Sequence, residues 1–276
     1  MNPWTAALLT SVTLFQLVAV PALVLRKNDL ADVLWGPAFP LAALAAARCR
    51  PLAELGPRQW LVLALVSIWA ARLFAHVGSR NLAHFDREDV RYANWRRQWG
   101  STWLWRSWLQ VFVLQALILY LFLLPVLSVL TSPRLGIGAT AAFGAALWLT
   151  GFVFETVADE QLRQFKRSAA NRGKLITGGI WSWSRHPNYF GEILLWWGIW
   201  AIAMEDRAAW WTIIAPLGVT YLIRKVSGVT MLEDLMRTRP GYEEYARSVP
   251  RLVPLPPTLR KFLLSRKHYA ENRPEG

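Results

Sequence analysis

Apolar residues run along this chain in long blocks that hold no charge. Residues 1–25, 33–47, 59–71, 107–133, 135–154, 193–204 and 208–223 contain no Asp, Glu, Lys or Arg. The hydrocarbon core of a bilayer, about 30 Å thick, takes roughly 20 mainly apolar residues of helix. Several blocks reach that length, and the shorter ones do so once a flanking or single internal charge is admitted. The pattern predicts an all-α, polytopic membrane helical bundle. Its spans lie near 4–25, 31–47, 59–78, 107–131, 135–157, 189–205 and 208–223, about seven in all, with six as the alternative count. The first block lacks a basic leader and is too long for the apolar stretch of a signal peptide, so it reads as a retained span.

The connecting segments set the orientation. With seven spans and the N-terminus outside, the segments on the cytoplasmic side carry 25 Lys and Arg, against 5 on the other side. The positive-inside rule is then satisfied in one orientation only, with the C-terminus cytoplasmic, and an even number of spans would destroy the alternation. Two of these segments are more than connectors. Residues 81–103, NLAHFDREDVRYANWRRQWGSTW, mix charges with aromatics and suit a helix at headgroup level. Residues 161–179 open as a basic helix continuing the fifth span and break at Asn171 and Gly173 into a glycine-rich turn. The Pro-rich VPLPP (253–257) ends helical structure, and 258–276 reads as a disordered cytoplasmic tail.

Composition narrows the function classes. Only 18% of residues are charged and 54% are hydrophobic, which excludes a disordered or coiled-coil protein. One cysteine, Cys49, and four scattered histidines support neither an intramolecular disulfide nor a metal centre. The net charge of +13 reflects cytoplasmic loops facing an anionic membrane surface rather than nucleic acid. An integral protein of the inner membrane, if the cell is bacterial, is the expectation.

Ionisable residues inside or at the ends of spans carry the first functional signal: Asp32, Arg72, Glu155, Asp159 and Glu192. Each costs at least about 2.5 kcal/mol at the bilayer centre, so such groups pair or line a wet cavity. Asp32 and Arg72 have a structural reading as an ion pair. Glu155, Asp159 and Arg163 fall at i, i+4 and i+8, a polar stripe on one helix face beside a basic loop. The richest segment is GGIWSWSRHPNYFGEILLWWG (178–198). It combines a glycine turn, the donors Arg185 and His186, Pro187 at a helix start, and Asn188 and Glu192 one turn apart. An outward-facing helix start flanked by Arg and His suits an anion; the bland alternative is an interfacial helix start that touches only headgroups.

WSRHPNYFGE (183–192), ADEQLRQFKRS (158–168), SGVTMLE (227–233) and PGYEEY (240–245), together with DVLWG (32–36) and EDVRY (88–92), resemble the steroid 5-alpha-reductase superfamily, closest to its prokaryotic branch. The resemblance covers about residues 30–255. It implies one transmembrane domain over 1–257, with substrate-side helices in 1–131 and an NADPH pocket open to the cytoplasm in 132–257. It further implies that Asp159 and Asn188, with Glu155, Tyr189 and Glu192 beside them, meet the amide, ribose or diphosphate of the cofactor. Arg163, Lys166, Lys174 and Arg185 become phosphate partners, His186 a diphosphate ligand or a cap of the turn, and Tyr242 and Tyr245 a closing wall. The reaction implied is hydride transfer from NADPH to the β-carbon of a conjugated enone in a lipid-like or steroid-like substrate, followed by proton addition.

That reaction needs a donor where negative charge develops on the carbonyl oxygen. The Gln-Glu pair and Tyr of the steroid enzymes have no match at the expected places. Asp32, the indole of Trp35, Arg72 and His76 are the candidates, with Trp35 otherwise a packing aromatic. RHPxYxG is shared with isoprenylcysteine-type membrane methyltransferases, so an S-adenosylmethionine-dependent methyltransferase is the alternative. A lipid-binding or transport protein that kept the fold is a third class. Basic groups clustered over 163–185 suit a phosphorylated dinucleotide better than a sulfonium.

Overall fold

The computed structural model describes residues 1–83, 85–226 and 228–260, and no strand occurs among them. The helices are α1 (Pro3–Leu25), α2 (Leu30–Ala47), α3 (Pro57–Ala83), α4 (Val90–Trp99), α5 (Trp103–Ser107), α6 (Leu114–Thr131), α7 (Ala139–Arg167), α8 (Pro187–Ala203), α9 (Ile214–Tyr221), α10 (Val229–Met236) and α11 (Tyr242–Ser248). Among the described residues, five stretches are long and apolar enough to cross a membrane: α1, α2, Pro57–Asn81 of α3, the run Val90–Thr131, and α7. The chain is therefore a polytopic helical membrane bundle. The other two expected spans are less regular. Residues 189–205 form α8, 17 residues long, and 208–223 are divided among a 3-10 segment (Arg207–Ile213), α9 and a π-helical turn (Leu222–Val226). The expected disordered tail lies, from residue 261 on, outside the described residues.

The chain forms two compact units that do not follow chain order: Met1–Ala145 with Gly198–Leu217, and Ala146–Trp197 with the chain from Gly218. In the first unit, α1, α2, α3 and α6 enclose a core of Phe15, Phe39, Trp69, Leu119, Leu123 and Leu127. Local signals agree with this start: Asn2 caps α1 by accepting from Trp4 N at 2.9 Å, with Pro3 at the first helical position. The turn between α1 and α2 is buried despite its polarity, and Lys27, Asn28 and Asp29 each bond to the segment before α4 or to α5. Lys27 Nζ donates to Phe85 O and Arg87 O at 2.9 and 3.0 Å, Asn28 Nδ2 to Ser107 Oγ at 2.9 Å, and Asp29 accepts from Asp89 N at 3.1 Å.

In the second unit, α7 and α8 approach backbone to backbone. A Cβ on Gly191 would lie 2.5 Å from both Gly151 O and Glu155 N, so only glycine allows this crossing. α7 runs on as a basic helix to Arg167 and ends there, slightly before the expected break. The 3-10 turn Ala169–Asn171 follows, then Gly173 at φ +79°.

Candidate functional site

The site in the second unit is built around residues 178–188. Gly179 adopts φ +60°, which brings Ile180 N to Gln161 Oε1 at 3.1 Å, and a Cβ there would meet the same amide at 2.4 Å. Trp181 then turns inward and donates from Nε1 to Ala158 O at 3.2 Å. Tyr245 of α11 donates its hydroxyl to Trp181 O at 2.6 Å. The segment after α11 straps the next residues: Arg185 N donates to Pro250 O at 2.9 Å, Ser184 Oγ to Leu252 O at 2.7 Å, and Leu255 N to Trp183 O at 2.8 Å. Ser184 Oγ also accepts from His186 N at 3.1 Å, just before Pro187 opens α8.

Glu233, on α10, clamps the Arg-His pair. Its Oε1 lies 3.2 Å from Arg185 Nη2 and 3.3 Å from His186 Nε2, while its Oε2 takes Arg251 Nε at 2.9 Å. Arg185 Nη1 also reaches Tyr242 OH at 3.3 Å. Burial pulls His186 down to about 4 despite the attraction of Glu233, whose charge Arg185 and Arg251 share. His186 is thus a neutral ring at pH 7, stacked on Tyr189 with centroids 5.7 Å apart. Burial likewise raises both the Tyr242 and Tyr245 hydroxyls, keeping them protonated donors.

These elements surround a cavity of about 500 Å³. Its lining holds Lys166, Arg167, Arg172, Lys174, Arg185 and Arg239 and not one Asp or Glu. Leu162, Phe165, Ile176, Trp181, Leu232 and Met236 supply an apolar wall. Of the residues expected at a cofactor, Lys166, Lys174, Arg185, His186, Asn188 and Tyr245 line this cavity. Glu155, Asp159, Arg163, Tyr189 and Glu192 are not among the lining residues. Asp159 instead accepts from Asn188 Nδ2 at 3.1 Å and holds that amide at the edge of the cavity. Arg163 is drawn to Glu160 on its own helix, Nε to Oε2 at 2.6 Å, in a solvent-exposed pair. Glu155 is buried beside Gly191, and Glu192 is half-buried on α8. Arg239, which also donates to Lys174 O at 2.9 Å, and Glu233 are residues that sequence reasoning passed over. Glu233 stood inside a quoted motif, but nothing in the sequence pointed it at Arg185.

The first unit holds a second polar cluster. Asp32 accepts from Arg91 Nη2 at 2.7 Å and from Tyr92 OH at 2.6 Å, and Gln115 Nε2 donates to that hydroxyl at 3.3 Å. The acid that sequence reasoning weighed against Arg72 is therefore bound to α4, by two residues of the quoted EDVRY motif. Trp35 sits edge-on to Phe15, Phe39 and Phe122, with centroids 5.6–6.3 Å apart, so it is packed among rings. Arg72 lies within the membrane-spanning part of α3.

The family model described as "Protein of unknown function (DUF1295)" matches residues 19–249. The chain belongs to the DUF1295 family. That family is part of the steroid 5-alpha-reductase-like group. Among relatives, the uncharacterized protein C594.04c of Schizosaccharomyces pombe is 27% identical over 92% of this chain and 80% of its own length. The 3-oxo-5-alpha-steroid 4-dehydrogenase 1 proteins of Bos taurus and Homo sapiens are 33% and 38% identical over 24% and 25% of this chain. The matched stretch spans only about a quarter of the length of those two relatives, 26% and 24%. No solved structure matches the chain.

Proposed function

We propose that this DUF1295 protein is a membrane-embedded, NADPH-dependent reductase of a carbon–carbon double bond in a lipid-like or steroid-like enone. The observation that carries the reading is the cavity of about 500 Å³ lined by six Lys and Arg and no carboxylate. Its size is that of ordinary small-molecule sites, about 300–1,000 Å³. A lining of six cations and no carboxylate favours a ligand that brings several negative charges, and NADPH brings a diphosphate and a 2′-phosphate. The same lining disfavours S-adenosylmethionine, a sulfonium without phosphate.

Within this reading Lys166, Arg167, Arg172, Lys174 and Arg239 supply the phosphate contacts, with guanidinium forks suited to a terminal phosphate. Arg185 and neutral His186 form a rigid end of the site, held by Glu233 before any ligand arrives. Asp159 presents the Asn188 amide, and Tyr245 fixes the Trp181 wall. Bound here, NADPH supplies a hydride. The positive-inside charge pattern supports a site open to the cytoplasm, with the N-terminus outside and seven spans.

Proton handling in this reading falls to Asp32. Its carboxylate is held by the Tyr92 O–H at 2.6 Å and by Arg91 Nη2 at 2.7 Å, so the one proton of that hydroxyl is committed to Asp32. Trp35 and Arg72 then shape the surroundings of the apolar substrate.

The test is titration of the purified full-length protein in neutral detergent with NADPH, NADH and S-adenosylmethionine. NADPH binding tighter than NADH by about tenfold or more, the worth of one hydrogen bond to a charged group, is expected. Equal affinity for the two nucleotides, or tighter S-adenosylmethionine binding, overturns the reading.

A further inference from the structure

Arg185 also lines a second, smaller concavity of about 390 Å³, together with Arg247, Ser248, Pro250, Arg251 and Arg260. Four guanidiniums thus face one space, and no Asp or Glu lies among its lining residues. Two carboxylates touch these arginines. Glu233 is shared by Arg185 and Arg251. Glu243 meets Arg247 at 3.3 Å, but both side chains are more than four-fifths exposed, so that pair neutralises little.

The balance of polar groups is equally uneven. Arg185 is 9% exposed, and its buried Nε–H finds no acceptor among the described residues; the buried Nη1 of Arg260 finds none either. A donor removed from water without an acceptor is costly, and more so on a charged group. An oxyanion with three or more acceptor oxygens would relieve the repulsion among the four cations, and phosphate matches the guanidinium fork.

We propose that this concavity is a second anion site, separate from the large basic cavity, which takes a phosphate group either free in solution or at the head of a membrane lipid. Arg247 and Arg260 are the residues that belong to it alone. Neither lines the larger cavity, so the site stands or falls independently of the reductase reading.

The experiment uses the full-length protein in neutral detergent, with inorganic phosphate, short-chain phosphatidic acid and short-chain phosphatidylcholine as probes, read by melting temperature and by titration. Phosphate or phosphatidic acid is expected to stabilise the wild type, and phosphatidylcholine is not. Arg247→Gln with Arg260→Gln should weaken that binding by about tenfold or more, whereas Lys174→Gln with Arg239→Gln, in the large cavity, should leave it in place. Stabilisation by phosphatidic acid beyond that of phosphate at equal concentration assigns a lipid source; equal stabilisation assigns the free anion. If the Gln pair does not fold, the Arg247→Lys, Arg260→Lys pair keeps the charge, loses the fork, and should weaken binding in the same direction. Indifference of the wild type to both anions overturns the proposal. So does a folded double variant that binds them unchanged, or binding abolished only by the large-cavity pair. NADPH titration of the Arg247/Arg260 variant is expected to match wild type, which keeps failure here distinct from failure of the cofactor reading.

Discussion

The two polar regions of this protein differ in how their charges are balanced. Around Asp32, one carboxylate meets one guanidinium and one hydroxyl within 2.7 Å, and rings of Phe15, Trp35, Phe39 and Phe122 fill the neighbouring core. In the large cavity, six Lys and Arg share an open volume of about 500 Å³ with no acid. A balanced, filled cluster is complete by itself and gains by staying closed. An unbalanced, hollow one stores repulsion that a ligand can relieve. Under the reductase reading, the contrast gives ligand capture to the second unit.

The largest expected effect comes from unbalancing what is balanced. Glu233→Ala would leave Arg185 and Arg251 without their shared carboxylate, and removing one partner of a buried pair costs about 3–5 kcal/mol. Melting of the apo-protein should fall strongly, and Glu233→Gln should recover only part of it. A melting temperature unchanged by Glu233→Ala would show that the Arg-His turn does not depend on the clamp.

Next in size is the Asp32 cluster. Under the reductase reading, Asp32→Asn or Tyr92→Phe should lower turnover by about 10²–10³-fold, the usual loss for one donor at a developing oxyanion, with NADPH affinity retained. Full turnover in either variant, once an enone substrate is found by screening, removes this cluster from the chemistry and leaves it structural. Trp35→Phe is expected to cost less than about 1.5 kcal/mol if the indole is only packed among its rings.

The open cavity should respond in the opposite sense from the balanced cluster. Lys174→Ala with Arg239→Ala should weaken NADPH by about tenfold or more. The same change should leave apo melting unchanged or raise it slightly, because like charges are removed. A fall in apo stability with binding intact would make these residues structural.

The last effect concerns acid. His186 charges only near pH 4 in the fold but near 6.5 when unfolded. Between those values the unfolded chain binds the extra proton, so this residue's contribution to stability is complete above pH 6.5 and is lost as the pH falls toward 4. His186→Gln should flatten the slope of melting temperature against pH in that window. An unaltered slope would place the acid sensitivity elsewhere.

The helices and the basic loop were legible in the sequence because their signals are local. Uncharged blocks of sufficient length mark α1, α2, α3, α6 and α7, and the clustering of Lys and Arg over 163–185 marks most of the cavity before any contact is known. The helix start at Pro187 followed the same logic. What the sequence could not supply was which quoted motifs meet. Asp32 of DVLWG is bound by Arg91 and Tyr92 of EDVRY, and Arg185 and His186 are bound by Glu233 of SGVTMLE, at separations of about 60 and 47 residues. No periodicity encodes such a pairing. Arg163 shows the converse: its spacing from Asp159 pointed to the site, but Glu160, three residues away on the same helix, held it at the surface. Membrane character is a property of composition along the chain and was determined by the sequence alone. The partners of each charge depend on how closely the helices approach, as glycines 151 and 191 permit, and that only the tertiary structure decided.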